Sequence, residues 1–546
     1  MVRILQVVSV FLLLGMTSYA TAQTIVLRGT VVTMTSEQAV LNNGVVVIEN
    51  DQIIEVRPGL RDDQYPGAQI IDLDGYIFPG LIDIHNHTLF NATLPVETDP
   101  VYQNRYQWQP DGNGVDLTPF IGSNPPLPFN SGYSPFNREV FYPMHLLTNS
   151  TLAGLAVEVS KYAEIKALTG GTTTIEGSID HPAVTNILVR NAEHENFGQD
   201  RVCRTVAAVT SPEFQGFAAN VRAQATSGLI DACLIHLAEG TDADSLAEFD
   251  VLKQEGMLED WTVIVHGVPF GESEFSEMAA VGADLVWSPT SNLVLYGQDA
   301  RADLANHMGV NVSLGSDWSV SGDKNLLAGL KVAWALNEER HRLRRDFEPR
   351  YRKFSAFELV RMVTVNPAAS LGWGDRVGRL EAGFEADIMV VDKIGSDPYQ
   401  SLIDAGEANV QLVMVGGDAL YGDETVVSEL KGSDYELIVS GNYAKAIDVT
   451  KAGVPQGSQT FAELQDTLTG AMQFNIFQMF ATYPIVTIVG SLVGAPISIT
   501  DFAYLFALVF FDFLPEGTPF PPPPAAIGFL FTPGAMSTEL APAVEY

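Results

Sequence analysis

The chain has 546 residues, 46% hydrophobic and 18% charged, so it is neither a disordered chain nor one small domain. Its length suits a barrel of about 250 to 350 residues with accessory parts. The formal net charge of −36, from 66 acidic and 30 basic residues, repels phosphate backbones and anionic lipid and argues against nucleic acid as a partner; it reads as a solubility device or an adaptation to salty surroundings.

Met1-Val2-Arg3, the apolar run Ile4 to Met16 and Ala20-Thr21-Ala22 have the three regions of a secretory signal over residues 1–22. Cleavage is expected before Gln23, with the mature protein periplasmic or secreted. The run falls short of the roughly 20 residues that a spanning helix needs. Thr24–Leu27, Val45–Ile48 and Gln52–Ile54 read as short strands separated by turns. A matching set appears at Asp387–Val391 and Val410–Val415, so residues 23–78 and 378–440 are expected to pair into one small β-sandwich domain.

Over residues 79–377, apolar strands alternate with helical stretches: Leu81–Ile84, Thr172–Ile175, Val202–Val209, Ala232–Leu237, Thr262–Val265, Asp284–Trp287 and Val310–Leu314. Alternating βα units imply a parallel sheet or barrel, with reactive residues where strands end. The stretch 88–147 is rich in Pro, Gly, Asn and aromatics and reads as a cap over the site. Tyr106, Trp108, Phe120, Tyr133 and Phe136 are either pocket walls or packing within the loop itself. Cys203 and Cys233 are the two cysteines; buried thiols are the default, and export would permit one bridge between neighbouring strands. Residues 441–546 form an apolar C-terminal extension. Pro484, Pro496, Gly490 and Gly494 argue against one spanning helix there, leaving a packing or homo-oligomer element, with membrane association as the alternative.

Four strand ends carry the chemistry. His85 and His87, two residues apart, leave their strand on the same side, so one cation can take both. His236 ends an apolar run, with Glu239 three residues on. His266 and Asp317 end two further runs. Imidazole and carboxylate are usual ligands of zinc and divalent iron, and three or four of them leave a coordination position for water, whose pKa the cation lowers to about 7.

The order His-x-His, His-x-x-Glu, His-Gly and a late Asp resembles the amidohydrolase superfamily, in particular its cytosine-deaminase and chlorohydrolase-like branch. The likeness spans roughly Thr24 to Leu420. Pro79-Gly-Leu-Ile-Asp83, Gly170-Gly-Thr-Thr-Thr174, Ser288-Pro-Thr-Ser-Asn292 and Asn366-Pro-Ala-Ala-Ser370 add to it. The resemblance implies a TIM-like (β/α)8 barrel with a small β-sandwich domain. It makes His85, His87, His236 and Asp317 the ligands of one divalent metal ion, zinc ahead of iron. Glu239 would shuttle protons, His266 would polarise or hold the attacked group, and Asp317 would also accept a proton from water. Binuclear members carry a bridging Lys or Glu on a middle strand, whereas Arg201–Val209 offers no lysine, which favours one metal. Glu176 is the strand-end carboxylate that challenges this, with a structural role as its alternative. Among the remaining histidines, His181 is a candidate substrate contact. Ser291 and Asn292 either face the site or cap the next helix.

The expected activity is hydrolysis of a C–N bond in a small amide, cyclic amide or aminated heterocycle. Deaminase and amidase fit these residues equally. The competing class is a non-catalytic barrel that binds a small ligand or scaffolds an assembly around a structural metal, whose coordination shell would be closed.

Overall fold

The computed structural model describes residues 24–472, apart from 60–64, 94, 96–100, 109–139, 141–143, 145–146, 149–153, 200, 345–351, 441–442 and 452–457. The signal segment, Phe120, Tyr133, Phe136 and the tail beyond 472 therefore lie outside the described residues.

The chain enters through β1 (Thr24–Val32), β2 (Val40–Glu49), β3 (Gln52–Pro58) and β4 (Gln69–Pro79). It passes through Gly80 directly into the barrel strands β5 (Leu81–Asp83), β6 (Thr172–Ile175), β7 (Arg190–Asn191), β8 (Val202–Thr205), β9 (Ala232–Leu237), β10 (Thr262–His266), β11 (Asp284–Trp287) and β12 (Val312–Leu314). All pairings within β5–β6–β7 and within β8–β9–β10–β11–β12 are parallel. A bridge between Asn86 and Asp317 joins the first strand end to the last. The third barrel strand, β7, is only two residues long and escapes a pattern of apolar runs.

Strands β9 and β10 are buried at every position, as strands covered on both faces must be. Side chains alternate. Ile82, Leu234, Val263, Val265 and Val286 share a core with Ala368, Leu371 and Trp373, whereas Cys233, Ile235, Ile264 and Leu285 pack into the larger cluster that includes helix residues Phe214, Phe249 and Phe275.

The chain returns as β13 (Ile388–Asp392), β14 (Val410–Val415), β15 (Asp418–Asp423), β16 (Glu436–Ser440) and β17 (Tyr443–Ile447). β13 pairs antiparallel with β4, so the two flanking segments make one continuous nine-stranded sheet. Leu27, Ile48 and Ile77 share its core with Ile388, Val390 and Leu412. Arg190 of β7 ties the barrel to this sheet through Asp387 at 2.8 Å and Glu385 at 3.0 Å. A division at residue 440 falls between the paired strands β16 and β17. Beyond it, a helix at Phe461–Met472 packs Phe461, Leu464 and Leu468 into the main core, so the C-terminal segment is built into the body at least to this point. No helix among the described residues is long and apolar enough to cross a membrane.

Cys203 and Cys233 lie opposite each other on β8 and β9 and are joined by a disulfide, 4.5 Å apart at Cα. It spans 30 residues of sequence, a loop whose closure in the unfolded chain is worth about 3.6 kcal/mol. Replacing both cysteines by alanine is expected to lower the denaturation midpoint accordingly. An unchanged midpoint, with or without reductant, would show that the bridge contributes nothing.

The helix Ala156–Thr169 buries Glu164 completely, with Ser178 and Asn191 both donating to its Oε1, at 2.9 and 2.8 Å. Burial pushes this carboxyl up from 4.5 to about 8. The native state then keeps a proton that the unfolded chain releases, so this group's contribution to stability falls as pH rises from about 4.5 to about 8. Glu164→Gln is expected to flatten the decline of Tm across that interval. Parallel Tm profiles for the two proteins would refute this.

Candidate metal centre

The site grows out of the strand ends β5 and β12. Between His85 and His87, Asn86 points the other way. Its amide donates to Asp83 and Ser316, both at 3.1 Å, and its Oδ1 accepts from Asn91 at 2.7 Å. Its backbone N–H donates to Glu176 at 3.1 Å. Asp83 in turn accepts from the backbone of His85 and Ser316 and from the Ser316 hydroxyl. Gly177 has φ +89°, and a Cβ there would collide with the Asn86 carbonyl. The backbone bonds from Asp317 N to His85 O, 2.8 Å, and from His87 N to Asp317 O, 3.1 Å, set Asp317 beside the histidine pair. Asp317 and His266 both adopt left-handed backbone, at φ 63° and 79°. Such conformations are costly for non-glycine residues and persist where the surroundings impose them.

His236, on β9, places its Nε2 3.1 Å from His85 Nε2 and 3.2 Å from His87 Nε2. Asp317 Oδ1 is 3.4 Å from both His85 Nε2 and His87 Nε2. The far side of His236 is committed: Nδ1 faces the Thr205 carbonyl at 3.3 Å, which can only accept, so Nδ1 carries the proton and Nε2 offers a lone pair. His85 Nδ1 is 2.6 Å from Ser288 Oγ. Burial pushes His85 and His236 well below the ordinary imidazole range and His87 down to about 3, so all three rings are neutral. Burial, reinforced by Glu239, pushes Asp317 well above the ordinary carboxyl range. Three neutral rings converge here with Asp317 beside two of them, and a bound cation would favour the ionised form of that carboxyl and turn the lone pairs of the rings to use. The donor set fits a divalent metal ion.

A second tier stands beside this cluster. Nε2 of His266 is 3.7 Å from Glu239 Oε2, and one nitrogen of His266 lies within 4.8 Å of ligand atoms of both His85 and Asp317. The tautomer of His266 follows from its neighbours. Asp299 accepts from the Asn292 amide at 3.2 Å and from Trp287, and is paired with Arg340 at 2.6 Å. Asn292 Oδ1 therefore faces His266 Nδ1 at 3.0 Å, which must be the protonated nitrogen, leaving Nε2 toward the site. Asn292 is thus not a cap: it lies inside the helix Pro289–Tyr296 and holds His266. Glu239 Oε1 accepts from the Tyr296 hydroxyl at 2.8 Å. Burial, then the Glu239 charge, keeps that hydroxyl protonated.

The structure brings together His85, His87, His236, Glu239, His266 and Asp317. It leaves His181 in a local turn, accepting the Ala183 N–H at 3.1 Å. Glu176 has a structural role, bonded to Asn86 and paired with Arg204 at 3.2 Å, and Arg204 also pairs with Glu193 at 3.1 Å. Of the described cap aromatics, Trp108 is buried against Trp318, which itself stacks near His87, and Tyr106 is bonded to Glu248 at the rim. Sequence reasoning misses Arg105, Thr205, Ser288, Tyr296, Asp299 and Arg340. Ser288 opens a recognised motif and Tyr296 lies four residues beyond its end, but Arg105 and Arg340 carry no local signal at all.

An eight-strand barrel with three histidines and an aspartate converging at its strand ends defines a metal-binding (β/α)8 barrel protein. The Amidohydrolase family model matches residues 219–420. The 5-methylthioadenosine/S-adenosylhomocysteine deaminase of Desulforamulus reducens is 23% identical over 436 residues, 74% of this chain and 94% of that protein. The enzyme of the same name from Pyrococcus abyssi is 27% identical over 220 residues, 38% of this chain and about half, 49%, of its own length. Among solved structures, a zinc-bound adenosine deaminase from Xanthomonas campestris has TM-score 0.53 at 20% identity, covering 72% of this chain and 92% of that one. Guanine deaminase from Bradyrhizobium japonicum has TM-score 0.54 at 20% identity, covering 74% and 100%. Residues 219–420 thus carry the match to the Amidohydrolase family, and over most of its length the chain is similar to deaminases of that kind.

Proposed function

We propose that the protein is a metal-dependent amidohydrolase that hydrolyses a C–N bond of a small molecule, with aminated heterocycles first among the candidates and amides and cyclic amides next. One observation carries the reading: the four-ligand cluster stands beside Glu239 and His266, two groups that a purely structural metal would not need. His85, His87, His236 and Asp317 would hold one divalent ion, zinc ahead of iron. When bound, such an ion supplies Lewis acidity and lowers the pKa of water to about 7. Asp317 takes a proton from the attacking water. Glu239, held between Tyr296 and His266, carries a proton to the departing nitrogen. His266 steadies the charge that develops on the attacked group. The deaminases named above support the preference for aminated rings.

The test is ammonia release by zinc-loaded protein from adenosine, 5-methylthioadenosine, guanine and simple amides, together with ring opening of cyclic amides. Folded, metal-replete protein that turns over none of them would sink the proposal. The basic, apolar and small-residue N-terminus supports export to the periplasm or beyond, and the disulfide suits such a compartment. Fractionation of expressing cells decides this, and retention of full-length precursor in the cytoplasm would refute it.

A further inference from the structure

We propose that Arg105 is a positioning residue for Glu239, supplied by the segment Val101–Trp108 of the long loop that follows β5. This rests on the reading of Glu239 as the proton carrier. The segment is bonded along the Glu239–Asp242 turn: Arg105 N donates to Glu239 O at 3.0 Å, Thr241 N to Gln103 O at 2.7 Å, and the Asn104 amide to Asp242 at 2.5 Å. The Arg105 side chain is 1% exposed, among the largest fully buried side chains of the molecule. One terminal nitrogen donates to the Val206 carbonyl just beyond β8. The other, Nη1, lies 3.7 Å from Glu239 Oε2, and neither it nor Nε has a hydrogen-bond partner among the described residues.

A buried guanidinium is costly unless carboxylates compensate it; among the described residues Glu239 is the one in ion-pair range, and the Arg105 charge also acts on the buried carboxyl of Glu248. The opposite oxygen of Glu239 answers to the same segment. Oε1 accepts from Tyr296, and the Tyr296 oxygen accepts from Trp108 Nε1 at 3.0 Å. Arg105 acts on one carboxylate oxygen directly and Trp108 on the other through Tyr296, while the Arg105 backbone binds the Glu239 backbone. Eight residues of the loop thereby fix the rotamer of a group on the barrel. The guanidinium charge 3.7 Å away holds Oε2 on the side of His266, by attraction rather than by a hydrogen bond.

The experiment compares wild type, Arg105→Met, Arg105→Lys, Glu239→Gln and the Arg105→Met/Glu239→Gln double variant, using the substrate found in the screen above. Arg105→Met is expected to lower kcat by about 10- to 100-fold with metal content unchanged. KM should stay within about two-fold, because the residue acts through Glu239 and not on substrate. Arg105→Lys should recover part of the loss, and Arg105→Met should cost nothing further once Glu239 is Gln. A crystal structure of Arg105→Met, or of Arg105→Lys should the methionine variant not fold, is expected to show the Glu239 carboxylate displaced from Tyr296. An undisplaced carboxylate, a rise in KM at constant kcat, or additive losses in the double variant would overturn the inference. If Glu239→Gln itself keeps wild-type turnover, the reading of the site fails first.

Discussion

Asp317→Asn is expected to lower turnover on the order of 10³-fold or more, because it removes a metal ligand's charge and a proton acceptor in one step. Asparagine is the informative choice. Asp317 sits at φ 63°, a region that asparagine tolerates better than most residues, so backbone strain does not account for the loss. The two backbone bonds that tie Asp317 to His85 and His87 survive as well. What changes is the oxygen 3.4 Å from two imidazoles: a carboxylate that can balance a cation and take up a proton becomes an amide that does neither. Chelating the metal from wild type should abolish turnover to a similar extent while leaving the circular dichroism of a folded barrel, since the hydrophobic clusters do not include the ligands and the strand pairing at His236 and Asp317 is made by backbone atoms. Turnover retained by Asp317→Asn, or unfolding on chelation, would contradict this account.

Glu239→Gln is expected to reduce kcat by about 10²- to 10⁴-fold, the range that general acid–base groups contribute, with metal content unaffected. Its carboxylate lies outside the four-atom ligand cluster, so the metal should stay. The amide can still accept from Tyr296 through one oxygen. Its NH2 group then faces Arg105 and His266 where a carboxylate oxygen stood, and it cannot relay a proton. Steady-state kinetics beside metal analysis separate the two variants: a shared loss of turnover, with the metal weakened only in Asp317→Asn. Loss of metal from Glu239→Gln would place Glu239 among the ligands instead.

The barrel and the convergence of the candidate ligands are legible in the sequence for one reason. Each of His85, His236, His266 and Asp317 follows a short apolar run, and a polar residue ending such a run in an alternating βα chain points to the same end of the barrel as the others. The signal vanishes where a partner's role depends on a distant contact. Arg105 lies in an irregular loop whose path is set by bonds to the Glu239–Asp242 turn, not by its own pattern. Arg340 belongs to a long helix and reaches His266 through Asp299 and Asn292. Strand β7 is too short to show periodicity and exists because Thr174 and Ile175 pair with Arg190 and Asn191. The continuity of the nine-stranded sheet hangs likewise on β4 meeting β13 across the whole intervening barrel.

The bridge between Asn86 and Asp317 bears on the order in which the molecule becomes competent. Of the proposed ligands, His85, His87 and Asp317 flank the seam where the first and last barrel strands meet, while His236 stands on β9. During synthesis, the chain through His236 already holds three imidazoles, yet the aspartate arrives only with the end of β12 and takes its place only when the ring shuts. If that ligand set holds the metal, tight capture would report that the barrel has closed. On the proposed ligand set, a chain truncated before Ser316 would offer three imidazoles without the aspartate and is expected to bind a divalent ion more weakly than the full chain.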